Sequence, residues 1–291
     1  MSLLTLPTWI RPHCYTGKRF GDLTAQEIDQ LKARLQNFRD PNPDVSVVIP
    51  AWNEGDNIYR ALSSLAFNET SLKVEIVVIN NNSTDHTQEV LDKLGVISYF
   101  QPLQGIAFAR QMGLEKAKGK YYLCADADTF YPPRWMELMT APMIANENIT
   151  GVYGRYSFVP PPGSSRAFLW FYERMAGIAI LMRKSNREHL NVLGFNMGLV
   201  SNIGRETGGF NVEKIRKFSN AKGSADFVDE SEDGRMAINL KRRGRLFLVR
   251  HPAARVFTSS RRLIAEGGIL KALISRVQLH SSRIKEYLIG K

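Results

Sequence analysis

The sequence is poor in cysteine: Cys14 and Cys124 are its only two among 291 residues. That excludes a disulfide framework, and Cys124, inside an apolar run, reads as a small buried hydrophobe suited to a reducing compartment. Long apolar runs are lacking too. The longest candidate, 167–182, is interrupted by Glu173 and Arg174, which argues against a bilayer span. Residues 1–10 carry no basic stretch and no small-residue cleavage site, so no secretory leader is read there and a cytoplasmic location is expected. Glycine loops for phosphate are also missing. No Gly-x-Gly-x-x-Gly follows the first β-branched run, and no Walker loop or Gly-x-Ser-x-Gly elbow occurs. This argues against a dinucleotide dehydrogenase. Any nucleotide phosphates would have to be held by metal and arginine.

Acidic residues are outnumbered, 28 against 39 lysines and arginines, for a net charge of +11. Such an excess calls for a polyanionic partner: nucleic acid, anionic lipid or a nucleotide diphosphate. The balance of 44% hydrophobic and 23% charged residues is that of a globular domain.

Thr24, with Glu27 three residues on, predicts a capped helix through about Phe38, stopped by Pro41-Asn42-Pro43. Beyond it, apolar runs at 45–49, 74–79, 96–100 and 121–124 alternate with helical spacings over 55–67, 83–94 and 106–117. Strand and helix in short alternation imply right-handed crossovers, hence an α/β, Rossmann-like fold with a mostly parallel central sheet flanked by helices. Ligands of such sheets bind at the carboxyl ends of strands near a switch in strand order.

Asp126-Ala127-Asp128 follows the fourth run directly. On a strand, two residues separated by one share a face, so both carboxylates would converge at the open sheet edge. A hard divalent cation, Mn²⁺ or Mg²⁺, is the natural occupant between them, completed by substrate phosphates. Asp126 and Asp128 are therefore candidate metal ligands. A solvated strand end is the alternative.

From Val45 to about Arg262 the chain resembles the family 2 glycosyltransferases of the GT-A fold. The matching pieces are Val47-Val48-Ile49-Pro50-Ala51-Trp52-Asn53-Glu54, Asn81-Asn82-Ser83-Thr84-Asp85, 105–114, Ala125-Asp126-Ala127-Asp128, Gly208-Gly209-Phe210 and Glu232-Asp233, in the family's order. The resemblance implies sugar transfer from a nucleoside-diphosphate sugar, with inversion at the anomeric carbon and a Mn²⁺ or Mg²⁺ cofactor. It divides the chain into an N-terminal extension, 1–43, and a GT-A domain, 44–291, whose half 44–130 binds nucleotide and whose half 131–291 binds acceptor and ends in a C-terminal helix.

Carried over by position, the resemblance makes Pro50, Ala51, Glu54, Asn80, Asn81, Asp85, Arg110, Asp126 and Arg261 donor-binding residues. The family's commonest pattern resembles Asp-Asp-Gly-Ser where this chain has Asn80 to Ser83. An amide oxygen thus replaces the carboxylate that would accept the uracil N3 proton; turn chemistry is the alternative for Asn80 and Asn81. Arg110 would pair with the diphosphate or with Asp126. Asp233 would be the general base and Glu232 its neighbour, although acids ahead of a helix over 235–243 also suit its dipole. Asn196, in Phe195-Asn196-Met197-Gly198, would face the acceptor. Residues 212–228 read as a loop, either a lid over the site or an insert without a role. His251 is either a third metal ligand or a structural residue.

Two other classes compete: a nucleotidyltransferase of similar fold, which lacks support in 50–57, and a non-catalytic binder of RNA or anionic lipid, which leaves the acidic clusters unexplained. The expected partners are a nucleoside-diphosphate sugar and a carbohydrate or lipid-linked acceptor, with no nucleic acid. The apolar helix around 168–182 with Arg183, Lys184 and Arg187, and the basic, apolar 263–289, offer a peripheral membrane contact or else core and interface helices.

Overall fold

The computed structural model describes residues 5–161, 166–210, 231–265, 267–282 and 287. Its elements run α1 (Arg11–Cys14), α2 (Ala25–Leu35), β1 (Val45–Ala51), α3 (Ile58–Ala66), β2 (Val74–Asn80), α4 (Thr87–Leu94), β3 (Ile97–Phe100), α5 (Ile106–Lys116) and β4 (Tyr121–Cys124). They continue through β5 (Thr129–Phe130), α6 (Trp135–Ala145), β6 (Ile149–Gly154), β7 (Tyr156–Val159), α7 (Ala167–Arg183), β8 (Met197–Val200) and α8 (Ser201–Glu206). The last are α9 (Glu232–Lys241), β9 (Arg245–Val249), β10 (Val256–Ser259), α10 (Arg261–Ala265) and α11 (Ile269–Ser282).

β1, β2 and β4 are buried at every position, as mostly apolar strands covered on both faces are; the two charged or hydroxyl residues inside β1 and β2, Ser46 and Glu75, satisfy each other at 2.6 Å. The seven-stranded sheet has the order β3-β2-β1-β4-β8-β6-β9. β3, β2, β1 and β4 are parallel neighbours, and β8 alone runs antiparallel to those beside it. Strand order reverses between β1 and β4, and Val48 pairs with Cys124 there, so 51–54 and 125–128 emerge together. α5 packs close over this seam because its Gly113 leaves space: a Cβ there would lie 2.4 Å from Val48 Cγ1.

A second, three-stranded sheet, β5-β10-β7, stands beside the first. It carries the chain from Asp128 past the C-terminal strand, where Ser259 N donates to Asp128 O at 3.1 Å. The N-terminal segment joins the main core through Phe20, Leu23, Leu31, Leu35 and Phe38, which cluster with Val45 and Ile49. Thr24 caps α2 reciprocally with Glu27.

Two local expectations give way. β4 ends at Cys124, so Asp126 and Asp128 lie in the turn between β4 and β5, and side-chain alternation along a strand does not govern them. α9 begins at Glu232, earlier than the predicted 235, because Ser231 Oγ accepts from Gly234 N at 3.1 Å and starts the helix. The acids therefore form its first turn. Residues 212–228 lie outside the described residues.

Candidate active site

Arg110 is the hub. It is 3% exposed, and α5 aims it beneath the β4–β5 turn. Its Nη2 donates to Asp126 Oδ1 at 3.1 Å and its Nη1 to Gly194 O at 3.0 Å. Asp233 Oδ1 lies 3.5 Å from Nη1 and Glu232 Oε1 3.9 Å from Nε. Burial alone would lower the Arg110 pKa, but Asp233 and Asp126 more than offset it and hold the guanidinium charged. Three carboxylates thus share one cation in a water-poor pocket.

Gly194 makes this geometry possible. A Cβ on it would lie 2.0 Å from Arg110 Nη2, so a larger residue requires the guanidinium to move. Its carbonyl takes Arg110 while its N–H donates to Asp233 Oδ2 at 2.7 Å. Asp233 Oδ1 has no hydrogen-bond partner among the described residues. Burial pushes the Asp233 carboxyl up to about 7; Arg110 pulls against this, and Glu232 and Asp126 add to it.

A second cluster sits at the surface side. Arg261 Nη2, at the start of α10, lies 2.7 Å from Glu54 Oε1 and 2.9 Å from Asp128 Oδ2. Asn57 Nδ2 fixes the other Glu54 oxygen at 2.7 Å. Burial raises the Glu54 pKa, and the Arg261 hydrogen bond opposes it. Asp126 and Asp128 therefore stand two residues apart, each held by a different arginine. Burial also raises the Asp126 carboxyl, with Arg110 opposing.

Among the described residues, no three His, Cys, Asp or Glu side chains gather as a ready metal cage. Two part-exposed carboxylates in the β4–β5 turn suit a hard divalent cation that takes its remaining ligands from phosphate and water.

The asparagines at the end of β2 are spent on the fold. Asn81 receives Gly105 N at 2.7 Å and donates to Leu103 O at 2.7 Å, pinning the segment before α5. Asn80 receives Ser83 N at 3.0 Å and donates to Gln88 Oε1 at 2.8 Å. Pro50 and Ala51 close β1 as buried residues, and Ala51 O accepts from Asn81 N at 2.8 Å. Asp85 accepts from Gly55 N at 3.1 Å and Thr87 N at 3.0 Å, and the Thr87 hydroxyl bonds it too. It ties the start of α4 to the loop after β1.

Asn196 is 1% exposed. Its Oδ1 receives Trp135 Nε1 and its Nδ2 reaches Arg155 O, both at 2.8 Å, so its amide braces the wall behind the site. His251 Nδ1 accepts from Ala253 N at 3.1 Å and caps a short turn.

The structure also brings in residues the sequence did not single out. Tyr131 Oη receives Asp126 N at 2.7 Å and donates to Phe195 O at 3.2 Å, setting the β4–β5 turn against the 194–196 segment. Gly194 adjoins a stretch already marked by its motif, and Asn57 lies three residues beyond Glu54.

A family profile described as glycosyl transferase family 2 matches residues 46–201, more than half of the chain. The chain belongs to that family and has the GT-A fold. Over 152 residues it is 31% identical to a hyaluronan synthase of Pasteurella multocida, covering 49% of this chain and 16% of that protein. Over 127 residues it is 35% identical to a chondroitin synthase of the same organism, covering 42% of this chain and 13% of that one. The chain thus spans under a fifth of either synthase.

Among solved structures, a mannosyltransferase of Pyrobaculum calidifontis in complex with GDP-Man and Mn²⁺ superposes with a TM-score of 0.53 at 16% identity, over 87% of this chain and 71% of that one. A glucosyl-3-phosphoglycerate synthase of Mycobacterium tuberculosis, in complex with Mn²⁺, UDP-Glc and phosphoglyceric acid, gives 0.51 at 18% identity, over 88% and 85%.

Proposed function

We propose that this chain moves a sugar from a nucleoside-diphosphate donor to a hydroxyl acceptor by direct displacement with inversion, and that Asp233 is the base. The carrying observation is Asp233 Oδ1: buried, without a hydrogen-bond partner among the described residues, on a carboxyl whose pKa is pushed up to about 7. Arg110 Nη1, 3.5 Å away, offsets its charge without making a hydrogen bond, and a buried acceptor that lacks one costs about 1–3 kcal/mol in a merely structural role. In a base it is the lone pair that takes the acceptor proton as the C1–O bond forms. Gly194 N–H holds the other oxygen and so aims it.

Asp126 and Asp128 would hold Mn²⁺ or Mg²⁺, which when bound neutralises charge on the diphosphate leaving group. Arg110 keeps Asp126 in place, and Arg261 provides a second cation at the donor edge, reaching from Glu54 to Asp128. Glu232 stands at the acceptor side of Arg110. Glu54 and the loop tied by Asp85 border the donor pocket. Pro50, Ala51, Asn80 and Asn81 shape it from beneath, through backbone and internal bonds.

The acceptor is a carbohydrate or lipid-linked hydroxyl in polysaccharide, glycolipid or other envelope-glycan synthesis, worked on at a peripheral membrane position. Support comes from the polysaccharide products in the relatives' names and the nucleotide sugars and Mn²⁺ in the neighbours' complexes.

Asp233→Asn tests the reading. Turnover should fall about 10²-fold or more, while calorimetry shows nucleoside diphosphate still bound with Mn²⁺. If binding collapses together with turnover, Asp233 belongs to the donor site and the base is another group.

A further inference from the structure

α7 is apolar on both sides. One face is buried by Leu169, Tyr172, Ala179 and Ile180. The other presents Phe168, 63% exposed, with Phe171, Ile178 and Leu181 each about half exposed at helical spacing. α11 repeats the pattern: Ala272 is buried against the α7 cluster, while Leu270, 61% exposed, and Ile274 point outward. The two helices pack on each other and share one small core with Leu263 of α10. A helix apolar all round is a buried helix, so these outward faces call for a covering partner.

Charge identifies it. Residues 166–187 and 261–282 hold nine lysines and arginines against two acids, Glu173 and Glu266. Glu173 is buried in an ion pair with Arg166, 2.8 Å apart, so neither shows charge outward, and Arg261 is engaged by Glu54 and Asp128. Arg174, Lys184, Arg262 and Lys271 are exposed. A symmetric pairing with a second copy would set this basic surface against itself. An anionic bilayer supplies both missing components, hydrocarbon for the aromatic and aliphatic side chains and negative headgroups for the rim.

We infer that the α7–α11 face is a docking surface for anionic lipid membranes, entered by Phe168, Phe171, Ile178, Leu270 and Ile274. Among the described residues, no helix is long and apolar enough to cross a membrane, so the attachment made by this face is interfacial. The face abuts the donor edge: Arg261 reaches Glu54 and Asp128, while Leu263 two residues on is buried with Leu169 and Tyr172. Docking therefore sets the mouth of the site at the headgroup level. Only this last consequence, an acceptor met at the bilayer, rests on the proposed reaction.

The test is co-sedimentation of the full chain with phosphatidylcholine vesicles, with and without phosphatidylglycerol, at low and high salt. Binding should require the anionic lipid and weaken, without vanishing, as salt screens the basic rim. The triple change Phe168→Ser, Phe171→Ser, Ile178→Ser should lower partitioning roughly tenfold or more. Lys184→Glu with Lys271→Glu, which leaves the core untouched, should do likewise on anionic vesicles. Nucleoside diphosphate binding in solution should be unchanged in both, showing that each variant is folded and testing the donor site apart from docking. Wild-type protein that stays in the supernatant at low salt, or variants that bind as well as wild type, would overturn the inference. So would a dimer in light scattering that the triple change dissociates, because the face would then belong to a second copy.

Discussion

Gly194 sets the tightest constraint in the site, because its missing Cβ is the space that Arg110 fills. Gly194→Ala must push the guanidinium off Asp126 or pull the 193–196 segment away from Asp233. Either movement breaks a buried charge network, and losing such a pair costs on the order of 3–5 kcal/mol. The variant should show a lowered melting temperature and turnover near background. Wild-type stability and turnover would remove Gly194 from this role.

Asp233 makes a pH prediction of defined sign. Its native pKa, near 7, lies above the ordinary carboxyl value of about 4. The folded state keeps a proton that the unfolded chain releases. Stability from this group is thus complete below the unfolded pKa and is lost as pH rises toward 7. Asp233→Asn lacks this dependence. The stability difference between wild type and variant, from urea unfolding at several pH values, should fall between about pH 4 and 7 and then level off. A flat difference would mean that Asp233 ionises like an exposed carboxyl. If Asp233 is the base proposed above, turnover should rise across the same range, since a base must be ionised.

At the scale of elements, the parallel half of the fold was readable because its strands are mostly apolar runs, broken only by Ser46, Glu75, Asn80 and Ser98, a pattern that survives most details of packing. β1, β2, β3 and β4 and the helices between them lie within a few residues of their expected places. The differences sit at ends, where one side chain decides. Ser231 moves the start of α9 back to Glu232, and the β4–β5 turn takes Asp126 and Asp128 off the strand. The motifs located Arg110, Asp126, Asp128, Glu232 and Asp233, which the fold brings around two arginines. Gly194 and Tyr131 were not legible. Each works through backbone contacts with segments far along the chain, 84 and 39 residues away for Gly194 and 64 for Tyr131, and sequence spacing carries no trace of such contacts. Likewise, nothing in Asn80, Asn81 or Asn196 announces that both ends of each amide are already engaged.

For the whole molecule, the proposed function makes donor and cation act as one ligand, because among the described residues Asp126 and Asp128 would supply only part of a cation's coordination shell. Thermal unfolding should shift upward most with nucleoside diphosphate and Mn²⁺ together, and less with either alone, as expected when only the native state binds. A nucleotide shift that persists undiminished in excess chelator would count against metal-assisted binding.

The three-stranded sheet has a consequence for how this protein comes into being on the ribosome. β10 inserts between β5 and β7, strands made more than ninety residues earlier, and Ser259 then tethers the Asp128 carbonyl. A nascent chain that has emerged as far as β8 can already assemble β1 to β4 and their helices. It still lacks Asp233, the Arg261 bridge and the strand that fastens Asp128. Synthesis therefore delivers the scaffold first and the working site last, so a prematurely terminated product can hold much of the sheet with no competent centre.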